Sequence, residues 1–154
     1  MKLISSLTVI ACTLLSTPSI AVEHCPAVTN IKEVASGIFV SVGTDGKWIG
    51  LKNGFLPSIT KVKSFGYGLA FEKSEGMNSL PHNREIKHCN YDTTAGKLDM
   101  KFETASGKPF SIETIGDEWR EEEGQFGITY VVCENTAPEN CKFSVFPDKY
   151  QREH

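Results

Sequence analysis

Val-Val-Cys-Glu-Asn-Thr-Ala-Pro-Glu-Asn-Cys-Lys-Phe-Ser-Val-Phe, residues 131–146, decides how this chain is read. Two apolar runs flank a polar loop, and Cys133 and Cys141 stand at its two mouths. Between them lie Asn135, Thr136, Pro138 and Asn140, residue types that turn a chain. The stretch predicts a β-hairpin clipped at its neck by a disulfide. Its loop, 134–140, reads as a scaffold feature first and a contact surface second. A structural disulfide also places the protein in an oxidising compartment.

The N-terminus agrees with that compartment. Lys2 precedes an apolar run over residues 3–15, followed by Ser16, Thr17, Pro18 and Ser19-Ile20-Ala21. Small residues at the first and third positions before a cut are the signal-peptidase pattern, so 1–21 reads as a signal peptide cleaved near Ala21. The run is shorter than the ~20 residues that span a bilayer, and Ser5, Ser6, Thr8 and Thr13 dilute it. A competing reading takes Val9-Ile10-Ala11-Cys12 as a lipobox with Cys12 lipidated, but the apolar segment ahead of Cys12 is short for that role. Residues 22–154 then form a single domain, secreted or periplasmic, long enough for a real core.

Cys12 leaves with the signal, and Cys25, Cys89, Cys133 and Cys141 remain. An even count behind an export signal reads as two disulfides. Within the hairpin Cys133–Cys141 is favoured, and Cys25–Cys89 follows by elimination. The formal net charge of the chain is −3, and no basic cluster carries interleaved aromatics. Nucleic acid and anionic membrane surfaces are therefore not expected as partners. No second apolar run is long enough to span a membrane.

Outward from the opening stretch, strands recur at short intervals. Gly-Ile-Phe-Val-Ser-Val (37–42), the turn Gly43-Thr44-Asp45-Gly46 and Lys-Trp-Ile-Gly-Leu-Lys (47–52) predict a hairpin, because Asp-Gly suits a tight turn. Residues 59–65 have no clean alternation and read as strand or irregular. Residues 65–72 alternate aromatics with Gly or Ala and predict a strand with one thin face, where another backbone comes close. Residues 97–103 place Leu98, Met100 and Phe102 on one face, and 109–114 alternate likewise. Further strands are expected at 85–91, 126–133 and 142–146, with an N-terminal arm at 22–32, a polar loop at 75–83 and a tail at 147–154. A single helical turn has its best place at 118–123. The pattern predicts an all-β fold, an antiparallel β-sandwich or small barrel with two disulfides.

Catalytic chemistry finds little footing. His82, His88, Cys89 and Asp92 are close in sequence but lack metal-ligand spacing, and an oxidised Cys89 is no ligand. No metal or other cofactor is expected. His24 beside Cys25 and His88 beside Cys89 would point to opposite faces of a strand. Asp117, Glu118, Glu121, Glu122 and Glu123 could supply two carboxyls for glycoside hydrolysis, yet such a run is ordinarily a solvated surface. Trp48 reads as core. Trp119, in a polar segment beside Arg120, Glu121 and Glu122, reads either as an exposed anchor or as a plug over the end of the fold.

The order of landmarks adds a resemblance. Cys25-Pro26, the aromatic strand after Gly37, Gly46-Lys47-Trp48-Ile49-Gly50, Cys89-Asn90-Tyr91, Trp119 and the final Cys-x7-Cys with Phe143 follow one another along the mature chain. Together they resemble a group of short secreted bacterial proteins catalogued as a domain of unknown function. The resemblance implies a secreted bacterial domain and no catalytic residue.

The expected function is a non-enzymatic binding module that recognises a protein or surface glycan, with inhibition of a hydrolase as one concrete form. Trp119, Arg120, Glu121 and Glu122 are the expected contact residues, with loop 75–83 second. One alternative is a small extracellular hydrolase using the 117–123 carboxylates. Another is an assembly component that pairs through a strand edge.

Overall fold

The computed structural model describes residues 20–52, 59–73 and 84–147. Residues 1–19 of the expected signal segment, Cys12 among them, the expected loop at 75–83 with His82 and the expected tail from 148 onward lie outside the described residues.

The described chain is almost entirely antiparallel strand, as the alternation predicts: β1 (Ala21–His24), β2 (Lys32–Ala35), β3 (Ile38–Val42), β4 (Gly46–Leu51), β5 (Val62–Glu72), β6 (Arg84–Thr93), β7 (Gly96–Thr104), β8 (Phe110–Ile115), β9 (Trp119–Glu123), β10 (Thr129–Glu134) and β11 (Lys142–Pro147). The 37–52 hairpin forms as β3–β4, with Gly43 N–H donating to Gly46 O at 2.9 Å. The arm at 22–32 carries an additional strand, β1, and β2 follows it. The strand expected from 126 begins at Thr129.

The strands form one curled sheet, a half-barrel that forks at β6. Along one edge β6 pairs with β5, which continues to β10 and β9. Along its other edge β6 meets two partners in turn. Cys89 to Thr93 pair with β7, leading to β4, β3 and β2, while Arg84 pairs with Ile112 of β8, leading to β11 and β1. The branch β8–β11–β1 curls back over the inner face of the rest. Phe143 of β11 thereby meets Trp48 of β4 at 6.1 Å and Phe102 of β7 at 6.0 Å between ring centroids. Phe102 also packs edge-on against Phe110 of β8 at 5.6 Å. Leu98, Met100 and Phe102 all point inward, and Trp48 is core. Burying these rings and their aliphatic neighbours is the main force holding the branches together.

One transverse row explains where the disulfides go. Register aligns Phe39, Gly50, Met100, Cys89, Gly68, Cys133 and Trp119 across seven strands from β3 to β9. From this row Cys89 reaches Cys25 at the end of β1, and Cys133 reaches Cys141 ahead of β11. Both predicted pairings form. Each staples the overlying branch to the main sheet, and Tyr91 Oη adds a buried hydrogen bond to Pro26 O at 2.6 Å.

The stretch 131–146 is not the hairpin expected. Its two runs are strands, but they do not pair with each other. β10 lies between β5 and β9, and β11 lies between β8 and β1. The chain passes from one layer to the other through the 3-10 turn Pro138–Asn140, and the disulfide spans the layers. The expected helical turn at 118–123 is also absent, because this segment is β9, held by five register pairs to β10.

Candidate functional site

The four expected contact residues Trp119, Arg120, Glu121 and Glu122 all fall on β9, and alternation divides them. Trp119 points inward and is 9% exposed. Its indole Nε1–H donates to Lys142 O at 2.8 Å, and its ring lies over Gly68. Trp119 is therefore core, not an exposed anchor. The reason lies in β5: its thin face leaves room above Gly68, and the Trp119 indole fills it where another backbone was expected. Glu121 shares the inward parity of Trp119 and stands 3.4 Å from Arg84, which also donates to Thr114 Oγ1 at 3.0 Å.

Arg120 and Glu122 point the other way, onto the uncovered outer face. Arg120 pairs with Glu134 of β10. Glu122 accepts a hydrogen bond from Tyr130 Oη at 3.0 Å, and that bond holds the phenol above its ordinary pKa. Beside them, the half-buried Leu69 and Phe71 carry the apolar surface toward β6, with Phe71 and Tyr130 ring centroids 6.1 Å apart. Farther along, the His88 ring packs at a tilt against Tyr67, with centroids 5.7 Å apart, while Cys89 faces the core, as adjacent residues of a strand should. Burial lowers the His88 pKa, against the pull of Asp99 at 3.7 Å. Glu121 and Glu122 lie on opposite faces of one strand, so they do not form a facing carboxyl pair.

The β9–β10 hairpin ends in a feature that sequence reasoning missed. Gly124 N–H donates to Ile128 O at 2.8 Å, closing a tip over Gln125, Phe126 and Gly127. Phe126 is 96% exposed, and its backbone is left-handed at φ 63°, ψ 25°. A bulky residue in that region is an outlier that costs stability and points to function. Ile128, 53% exposed, stands beside it. The usable signal was Gly-Gln-Phe-Gly, an aromatic inside a glycine-bounded turn where no core could take it.

β3 and β4 turn Val42, Leu51 and Ile38 outward, but nothing in the structure shows what covers them. The β2 edge is guarded by Lys32, Glu33 and a register shift between Glu33 and Ala35, features that oppose strand addition. Glu23 of β1 is 1% exposed and accepts the Asp45 amide at 2.6 Å, tying β1 to the β3–β4 turn. Among the described residues no group of three His, Cys, Asp or Glu side chains could hold a metal, and no helix is long and apolar enough to cross a membrane.

A model of one protein family, described as a protein of unknown function, matches residues 20–144. The matched span takes in both disulfides and the whole β9–β10 hairpin. No curated protein and no solved structure matches the chain.

Proposed function

The chain belongs to the family DUF3757, and from that premise we propose that it is a non-enzymatic binding module, secreted or periplasmic, that recognises a partner protein through the β9–β10 hairpin. Phe126 is the anchor, and Arg120, Glu122 and Tyr130 form the polar border behind it. The observation that carries this reading is the near-complete exposure of a Phe on left-handed backbone. A solitary aromatic with polar neighbours is the arrangement that interface hot spots favour. The hairpin is rooted in a rigid base, since Cys133 of β10 is bonded to Cys141 and Trp119 of β9 is fixed on Lys142. A rigid hairpin presenting one apolar tip suits insertion into a cleft, as an inhibitor of a hydrolase would do. Two buried disulfides support export to an oxidising compartment.

The test is parallel capture with immobilised wild type, Phe126→Gly and Arg120→Ala, each oxidised. Cell and culture extracts form one arm, and insoluble peptidoglycan and chitin form the other. A protein retained by wild type and lost by Phe126→Gly, at an undiminished thermal midpoint, is the expected result. Equal retention by Phe126→Gly would remove the hairpin from the reading. Retention on the polysaccharides alone would replace the protein partner by a glycan.

A further inference from the structure

The fork at β6 leaves a notch in the sheet. After Cys89 pairs with Met100, β7 departs, and β8 takes up the same edge of β6 only at Arg84. Between these points the strand edges of β6 and β7 diverge around a crevice of about 620 Å³. Its floor is apolar: Ile86 and Phe102 are buried, and Phe110 is partly buried beside them. Its rim carries Lys73, Lys87, Lys101 and Lys108 against only Glu85 and Glu103. In a chain whose formal net charge is −3, this is a local excess of two positive charges.

The lysines are not equivalent. Lys73 Nζ donates to Phe110 O at 2.6 Å and to Ser111 Oγ at 3.0 Å, which pins the β8 wall of the crevice. Lys87, Lys101 and Lys108 are exposed, and among the described residues no carboxylate forms an ion pair with them. Glu103 is drawn instead toward Lys47, at 3.7 Å. An apolar floor beneath a cationic rim matches a ligand with an apolar body and one anionic group, and the volume lies in the range of small-molecule sites. Two remaining positive charges do not suit a polyanion.

We propose that the notch between β6, β7 and β8 is a binding site for a small amphipathic anion, its carboxylate or phosphate held by Lys87, Lys101 and Lys108 and its apolar part laid on Phe102 and Phe110. The site lies apart from the β9–β10 tip and does not depend on the function proposed for it.

Octanoate is the probe, with octan-1-ol as its uncharged counterpart and inorganic phosphate as the anion without an apolar body. Titrations of the oxidised protein are followed by amide NMR shifts. Octanoate should bind one-to-one and shift amides of residues 85–87, 101–104 and 107–110. Combining Lys101→Gln with Lys108→Gln should weaken it about tenfold, the scale of a lost charge-assisted hydrogen bond. Lys32→Gln, remote on β2, should leave it unchanged. Three outcomes would each overturn the proposal: octanol binding as tightly as octanoate, inorganic phosphate shifting the same amides as strongly, or the double lysine variant binding like wild type.

Discussion

The indole of Trp119 rests on the bare Cα of Gly68: a methyl group at position 68 would come within 3.0 Å of Trp119 Cη2 and 3.1 Å of Cys25 Sγ. Neither neighbour can retreat freely, because the indole is hydrogen-bonded to Lys142 O and the sulfur is fixed in the Cys25–Cys89 bridge. Gly68→Ala should therefore destabilise the fold by about 1–3 kcal/mol, the range of overpacked cores. Urea midpoints and tryptophan fluorescence check this together. A variant as stable as wild type, with unaltered emission, would mean that the ring is not seated there.

Trp119 and Phe126 sit at the two ends of one hairpin and should respond in opposite senses. Trp119→Ala empties a core position and should lose about 3–5 kcal/mol. Phe126→Gly relieves left-handed strain of about 1–2 kcal/mol and gives back about 0.5–1 kcal/mol through the added freedom of the unfolded chain. The net expectation is a gain of about 0–1.5 kcal/mol. Thermal or chemical denaturation measures both, and a loss of stability in Phe126→Gly would show that the ring is packed.

Glu23 should leave a mark on the pH profile of stability. Burial raises its pKa above the ordinary 4.5, although the amides of Asp45 and Thr44 pull it down. The folded chain thus takes up this proton more readily than the unfolded chain. The associated stability is complete below the unfolded pKa and is lost as pH rises through the raised folded value. Unfolding free energies compared from about pH 4 to pH 7 should show wild type declining relative to Glu23→Gln. Parallel profiles would contradict the assignment.

The two disulfides should differ in weight. Cys25–Cys89 closes a separation of 64 residues and Cys133–Cys141 one of 8. Loop-closure entropy assigns about 4 kcal/mol to the first and about 2.5 kcal/mol to the second. Paired alanine variants, each unfolded in urea, should follow that order. The reverse order would mean that stapling β11 to β10 matters more than restricting the unfolded chain.

Much of this fold is legible along the chain, and the legible parts share one property. The β3–β4 hairpin, the inward row Leu98, Met100 and Phe102, and the even set of cysteines are all local patterns. The pairing Cys25–Cys89 needed only elimination once Cys133 and Cys141 were matched. The candidate site is half legible: Arg120 and Glu122 do face outward on β9, but Trp119 does not, and Phe126 reads in sequence as the start of a strand. A single residue's parity on a strand separates Trp119 from Arg120, and register is set by the partner strand, not by the segment itself.

By itself the sequence determined the strand-rich class, the disulfide-bearing character and the inward faces of the strongly alternating strands, because each rests on residues close together in the chain. Only the tertiary structure decided what those strands pair with. Val131 and Phe143, so near in sequence, belong to strands in different layers, since β5 and β9 flank β10 while β1 and β8 flank β11. Hydrogen-bond ladders between distant strands carry no local signature. The fork at β6, the seat of Trp119 on Gly68 and the exposure of Phe126 all follow from those long-range choices.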